Sequence, residues 1–273
     1  MSSEQVLART GLHRKKPTFW NRYESHILVL ASLVVFLSVW EAIARAGVFS
    51  HLFFAGPVAI VQAFISLALS GDLLTALEAS ALEFVYGSFW AILLGILLGL
   101  ALGVFRKLEM LLNPYLMALY AIPRIAFYPL IIVWFGLGLN SKAILVFFSV
   151  FFPVCINTWA GAKTVDPVLL KAGRSFGATK LQLFTKIILP YSLPFIIAGI
   201  RIGAGIALIA IYIGEMMGSD AGIGYLIVQS GFAFKADNLF VGVILLAGIG
   251  VAFSQGIGYL ERRIAPWRQN VNF

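Results

Sequence analysis

The stretch KAGRSFGATKLQLFTKIILP, Lys171 to Pro190, carries Lys171, Arg174, Lys180 and Lys186 and no acid, yet strongly apolar chain lies on both sides of it. Asp166-Pro167 opens a helix just before it: Asp caps and Pro suits the first turn. Leu169, Leu170 and Ala172 give that helix a partly apolar face. Gly177 permits a sharp turn that a residue with a β-carbon resists. A second short helix, about Lys180–Ile187, offers Leu181, Leu183 and Phe184. Pro190 is expected to stop it, with Pro194 marking the start of the next apolar run. The chain thus makes two short helices joined at a glycine between two greasy blocks.

Those blocks decide the fold class. The chain has 273 residues, of which 60% are hydrophobic and only 12% charged, against about a quarter charged in soluble domains. Six apolar runs approach the length that spans a bilayer: Ser25–Ala46, Glu83–Phe105, Leu112–Phe135 (interrupted by Pro123 and Pro129), Lys142–Trp159, Leu193–Met217 and Leu239–Leu260. Lipid cannot satisfy bare backbone, and no barrel-strand alternation is present, so the fold is all-α and polytopic. Pro57–Ser70 reads as a short amphipathic helix at the outer surface. The first run is too long for a signal-peptide core and lacks a cleavage signal, so it is expected to stay as a span. One transmembrane domain, 25–262, then lies between polar tails at 1–24 and 263–273.

Charge placement sets the orientation. Arg9, Arg14, Lys15, Lys16 and Arg22, then Arg106 and Lys107, then Lys163, Lys171, Arg174, Lys180 and Lys186, then Arg262, Arg263 and Arg268 all fall on one side. Arg45, Lys142 and Lys235 fall on the other, with Arg124 and Arg201 near or within spans. The positive-inside rule places both termini and the 162–191 hairpin in the cytoplasm. The net charge of +8 is therefore a topology signal, and no nucleic-acid partner is expected. Cys155 is the lone cysteine, and His13, His26 and His51 make no metal-ligand spacing, so neither a disulfide nor a metal site is expected.

A helical pair with apolar residues between basic ones suits insertion into a partner's groove; a surface helix held by anionic lipid is the alternative. Here the chain resembles the membrane permeases of bacterial ABC importers, whose cytoplasmic motif runs E-A-A-x-x-x-G, nine residues, I-x-L-P. The chain has Lys171-Ala172-Gly173, then Gly177-Ala178, then Ile187-Ile188-Leu189-Pro190 at that spacing, with Lys171 in place of the glutamate and Gly173 as the third residue. The stretches IPRIAFYPLIIVWFGLG, FFPVCINTWAG, LPYSLPFIIAGIRIG and GEMMGSDAGIGYLI are similar to the subgroup that imports nitrate, taurine, alkanesulfonates and vitamin precursors. The subgroup often has a basic residue four before a glycine near the start of the second span, where this chain has Glu83 before Gly87. The resemblance implies a type I importer permease in a bacterial inner membrane, with a hairpin coupled to two ATP-binding subunits, a second permease copy and a periplasmic or lipid-anchored solute-binding protein. ATP and Mg would sit on the partner, since G-x-x-x-x-G-K-[ST] is absent here, and so are G-x-S-x-G and H-E-x-x-H. No cofactor is expected on this chain. A stand-alone secondary transporter is the competing reading; it predicts intramembrane acids and repeats, and few central acids are present.

Within the spans, Arg124 stands between Pro123 and Pro129. A charge at membrane depth costs on the order of 3 kcal/mol, so it faces a pathway or snorkels to the interface. Pro123, Asn157 and Glu215 are the other pathway candidates; Asn157 equally suits a bond to a neighbouring helix, and Glu215 an interfacial pair. Glu41 after Trp40 reads as an interface anchor. Gly95, Gly99 and Gly103, and Gly199 and Gly203, leave helix faces of bare backbone for close packing, within one subunit or between two.

Overall fold

The computed structural model describes residues 19–264, with side chains from 27 to 263; residues 1–18 and 265–273, which hold most of the two expected tails, lie outside the described residues. The helices are α1 (Phe19–Arg45), α2 (Pro57–Ser70), α3 (Asp72–Val104), α4 (Arg106–Ala121), α5 (Tyr128–Phe135), α6 (Leu139–Lys163), α7 (Pro167–Ser175), α8 (Lys180–Leu183), α9 (Leu189–Met216), α10 (Ile223–Phe232) and α11 (Ala236–Ile264). A 3₁₀ turn, Arg124–Phe127, precedes α5, and a π turn, Phe184–Ile188, joins α8 to α9.

The described residues fall into two compact units, divided between Ala59 and Ile60. In the first, Trp40 Nε1 donates to Ala55 O at 3.1 Å, and the indole ring meets Phe36 edge-on and Phe54 at a tilt. Glu41 pairs with Arg45 at 2.7 Å and accepts the Val58 N–H at 3.1 Å. The carboxylate expected to anchor an interface thus caps the start of α2, filling one of the donors a helix leaves open at its N-terminus.

The second unit is built around α6. A β-carbon on Gly87 would lie 2.5 Å from Ala143 O, one on Gly95 3.1 Å from Phe151 O, and one on Gly99 2.6 Å from Cys155 O. Partner numbers rise together, so α3 and α6 run parallel in near backbone contact. On the other face Gly199 meets Pro153 O at 2.9 Å and Gly203 meets the Val150 Cα at 3.1 Å, so α9 runs antiparallel to α6. The glycine faces therefore pack within the chain. Between them Ala91, Leu145, Val146, Val150, Val154, Ala207 and Ile211 form the core, with Tyr128 fully buried among them. In lipid this association rests on close van der Waals contact rather than on expelling water, which is why the smallest residues hold the contact positions.

Among the described residues, five helices are long and apolar enough to cross a membrane, and the pair Arg106–Ala121 and Arg124–Phe135 together passes the same test with an 83° bend. Since α3 and α6 are parallel, the chain between them must return from one end of the bundle to the other. The bent pair makes that return, which brings the crossings among the described residues to six, with this pair the third. Pro123 sits at the break, as expected. Pro129 does not break the span: it lies in the first turn of α5, where its missing N–H costs nothing. Pro114 and Pro153 lie inside α4 and α6 without ending either.

Pro190 was expected to stop the second hairpin helix, and it does not. Lys180 to Met216 is one run of 37 residues. The Leu189 N–H bonds back five residues to Phe184 O, and this wider turn makes room for a proline ring that would strike the carbonyl four residues before it in a regular helix. Lys142, counted with the charges of the side opposite the hairpin, is buried, for the reason given below.

Candidate functional site: hairpin, bend and buried polar cluster

The hairpin is locally determined at each corner. The Asp166 carboxylate accepts the Val168 N–H at 2.8 Å, with Pro167 in the first turn of α7. At the far end Gly177 takes φ +76°, its N–H bonds to Arg174 O at 2.9 Å, and the Ala178 N–H reaches Gly173 O at 3.0 Å. That pair of bonds is a Schellman motif, which strongly favours glycine at position 177. Thr179 and Gln182 then form a reciprocal capping box that starts α8. Gly173 also has a packing role: a β-carbon there would lie 2.6 Å from Leu183 Cδ2 and 3.3 Å from Ile187 Cδ1, so its absence lets α8 and the π turn close on α7. Outward, Phe176 is 91% exposed and Leu181 70%, beside exposed Lys171 and Arg174. A cavity of about 300 Å³ lies in the crook, lined by Phe176, Gly177, Ala178, Gln182, Lys186 and Ile187. Lys171, Ala172, Gly173, Gly177 and Ala178 thus lie on or at the end of α7, whereas Ile187, Leu189 and Pro190 belong to the π turn and the start of α9. At the same end of the bundle, Lys163 pairs with Glu109, and Arg201 pairs with Glu261 at 2.7 Å.

At the bend, Arg124 is half-buried. Its guanidinium lies over the Tyr120 ring at 5.1 Å and the Phe152 ring at 5.6 Å, and its one polar contact, to Phe148 O, is long at 3.4 Å. It forms no ion pair among the described residues. A cavity of about 250 Å³ opens beside it, lined by Tyr120, Pro123, Arg124, Ser149, Ile206 and Ala210. The arrangement is an oriented cation with apolar walls and spare donors, suited to a small anion with a carbon body. Asn157 does not join it: its Nδ2 donates to Pro153 O of its own helix at 2.8 Å.

Near the opposite end from the hairpin lies a polar cluster. Lys142 Nζ pairs with Glu83 Oε1 at 2.6 Å and donates to Ser219 Oγ at 2.6 Å, with both side chains of the ion pair almost fully buried. The Ser80 hydroxyl donates to Glu215 at 2.5 Å, and the Gly224 N–H reaches the same carboxylate at 2.5 Å. Tyr128 OH donates to Gly214 O at 2.9 Å. Glu215 is therefore placed in a buried knot, away from Arg124. Lys142, Ser80 and α10 were not singled out from the sequence. A lysine at the mouth of one apolar run and a glutamate at the mouth of another were the available signal, since membrane charges need partners.

The binding-protein-dependent transport system inner membrane component family matches residues 91–266. The chain is 35% identical over 236 residues to the putative aliphatic sulfonates transport permease protein SsuC of Bacillus subtilis (strain 168), covering 86% of each. It is 30% identical over 272 residues to the taurine transport system permease protein TauC of Escherichia coli (strain K12), covering 97% of this chain and 99% of that one. Among solved structures, inward-facing MetNI methionine ABC transporter shares the fold with a TM-score of 0.63 at 20% identity, over 72% of this chain and 98% of that chain. An all-helical bundle with parallel α3 and α6, a bent third crossing and an elbow running straight into the next span thus has both its sequence relatives and its fold relatives in one place: the chain belongs to the binding-protein-dependent transport system inner membrane components, the permease subunits of ABC importers.

Proposed function

We propose that this permease is the pathway of an ATP-driven importer for small organic anions of the sulfonate class. The observation that carries the reading is the hairpin: a rigid, basic, apolar-tipped elbow continuous with α9, on a chain without a phosphate-binding loop. Its relatives are named for aliphatic sulfonates and taurine, and a half-buried guanidinium facing a cavity at a helix break supports the same substrate class. In this account the hairpin end faces the cytoplasm, as the distribution of Lys and Arg directs. Two ATP-binding subunits hold ATP and Mg, one on each hairpin of a permease pair, and a solute-binding protein docks at the other face, near Pro57–Asp72 and 219–237. Nucleotide-driven closure of the ATP subunits draws the hairpins together and turns the pathway outward; hydrolysis lets it revert. Lys171, Ala172, Gly173, Gly177, Ala178, Ile187, Leu189 and Pro190 form the coupling element, and Arg124 with Pro123 lines the path.

The test is co-purification. Tagged permease expressed with an ATP-binding subunit is expected to carry that subunit through purification in detergent and to hydrolyse ATP. Permease that purifies folded and alone, with no hydrolysis under any pairing, would count against the reading.

A further inference from the structure

α10 starts without a cap of its own. Gly222 precedes it at φ +127° and offers no side chain. Its first two N–H groups are held by other helices: Ile223 N–H donates to Ser80 Oγ at 2.9 Å, and Gly224 N–H to Glu215 at 2.5 Å. Ser80 belongs to α3 and Glu215 to α9, and the two are bonded to each other. A carboxylate is the favoured partner for the bare start of a helix. Three residues before α10's cap, Ser219 is gripped by Lys142 of α6, whose ammonium is held in turn by Glu83 of α3. The segment from Met217 to Gly222 is therefore pinned at Ser219 and just beyond Gly222 by buried groups from three spans. It is not filler between packed helices: Asp220 and Ala221 line a cavity of about 360 Å³ on one side, with Asp72, Tyr225, Gln229 and Lys235, and one of about 350 Å³ on the other, with Lys142. The fit is tight, since a β-carbon on Gly224 would lie 2.9 Å from Glu215 Oε2.

We propose that Met217–Gly222 is a strap across the end of the pathway opposite the hairpin, and that Ser80, Glu83, Lys142 and Glu215 are positioning residues that make α10 follow α3, α6 and α9. The inference rests on the importer reading. Lys180 to Met216 is one continuous helix, so a displacement at the hairpin arrives at the strap through a single rod. The clamp decides whether that displacement is passed on to α10 and so to the face where a binding protein sits.

The experiment uses the complete complex in vesicles, with taurine and methanesulfonate as probes of the binding protein. The quantity read is ATP hydrolysis with loaded binding protein divided by hydrolysis without it, per assembled complex. Ser80→Ala and Lys142→Met are each expected to lower this ratio on the order of fivefold, the scale of a lost coupling free energy between sites. Lys142→Met strands the Glu83 carboxylate, so adding Glu83→Gln is expected to recover part of the loss; because the ratio is taken per assembled complex, a defect of stability alone, which lowers the amount of complex, does not move it. Assembled variants that keep the wild-type ratio, or variants that only reduce the amount of complex, would overturn the clamp. A wild-type chain that forms no ATP-hydrolysing complex would instead remove the importer reading beneath it.

Discussion

At the scale of single residues, three chemistries do separate work. The glycines of α3 permit backbone contact with α6. Gly99→Ala places a methyl group 2.6 Å from both a carbonyl oxygen and the Thr158 Cβ; neither is a flexible chain end, so the helices must part. The expected cost is about 1–3 kcal/mol, read as a lower melting temperature of the detergent-purified permease. Gly205→Ala, with nothing within 4 Å, is the matched control and is expected to leave the melting temperature in place. Arg124 is the proposed pathway cation. Arg124→Ala is expected to lower uptake of a sulfonate by about tenfold, the worth of one hydrogen bond to a charged group, while basal ATP hydrolysis falls much less. Equal losses in both would take Arg124 out of the path. Lys142 holds a buried carboxylate, and removing one member of such a pair costs about 3–5 kcal/mol, more than the pair itself contributes.

At the scale of elements, the hairpin is the part most plainly written in the chain. Asp166-Pro167, Gly177 and the Thr179–Gln182 box each act within a few residues, so the sequence alone places both short helices and the turn. Gly177→Trp puts a bulky side chain where φ is +76°, and it is expected to abolish assembly with the ATP-binding subunit while membrane insertion stays normal, read by pull-down against total membrane content. Normal assembly would show that the turn is not the dock. Other elements depend on partners far along the chain and were not legible. α10 is short and has no local cap; its start is stabilised by Ser80, 143 residues earlier, and by Glu215. The continuity of α8 with α9 was misread because Pro190 breaks a regular helix, and only a π turn, invisible to periodicity, accommodates it. The burial of Lys142 was not legible for a related reason: charge counting assigns a side by sequence position and does not see that Glu83 lies across the helix contact. Glu83 itself did stand out, as a departure from the pattern the chain resembles, and its partner is what the structure adds.

At the scale of the whole molecule, the proposed function makes the bundle a transmission. α6 holds α3 and α9 in fixed register through glycine contacts, α9 joins the hairpin to the opposite end without interruption, and the bent third crossing carries Arg124 into the space between. The chain has a polar knot near one end and ion-paired ties at the other, but no phosphate-binding loop to supply energy. Its central claim is that transport work comes from a separate ATP-hydrolysing subunit gripping the elbow. The direct measurement is accumulation of labelled taurine in vesicles with ATP enclosed at the hairpin face and a binding protein supplied outside. The account predicts accumulation only when permease, ATP-binding subunit and ATP are all present, and its loss with Gly177→Trp. Accumulation by the permease alone, driven by an ion gradient and indifferent to ATP, would contradict it.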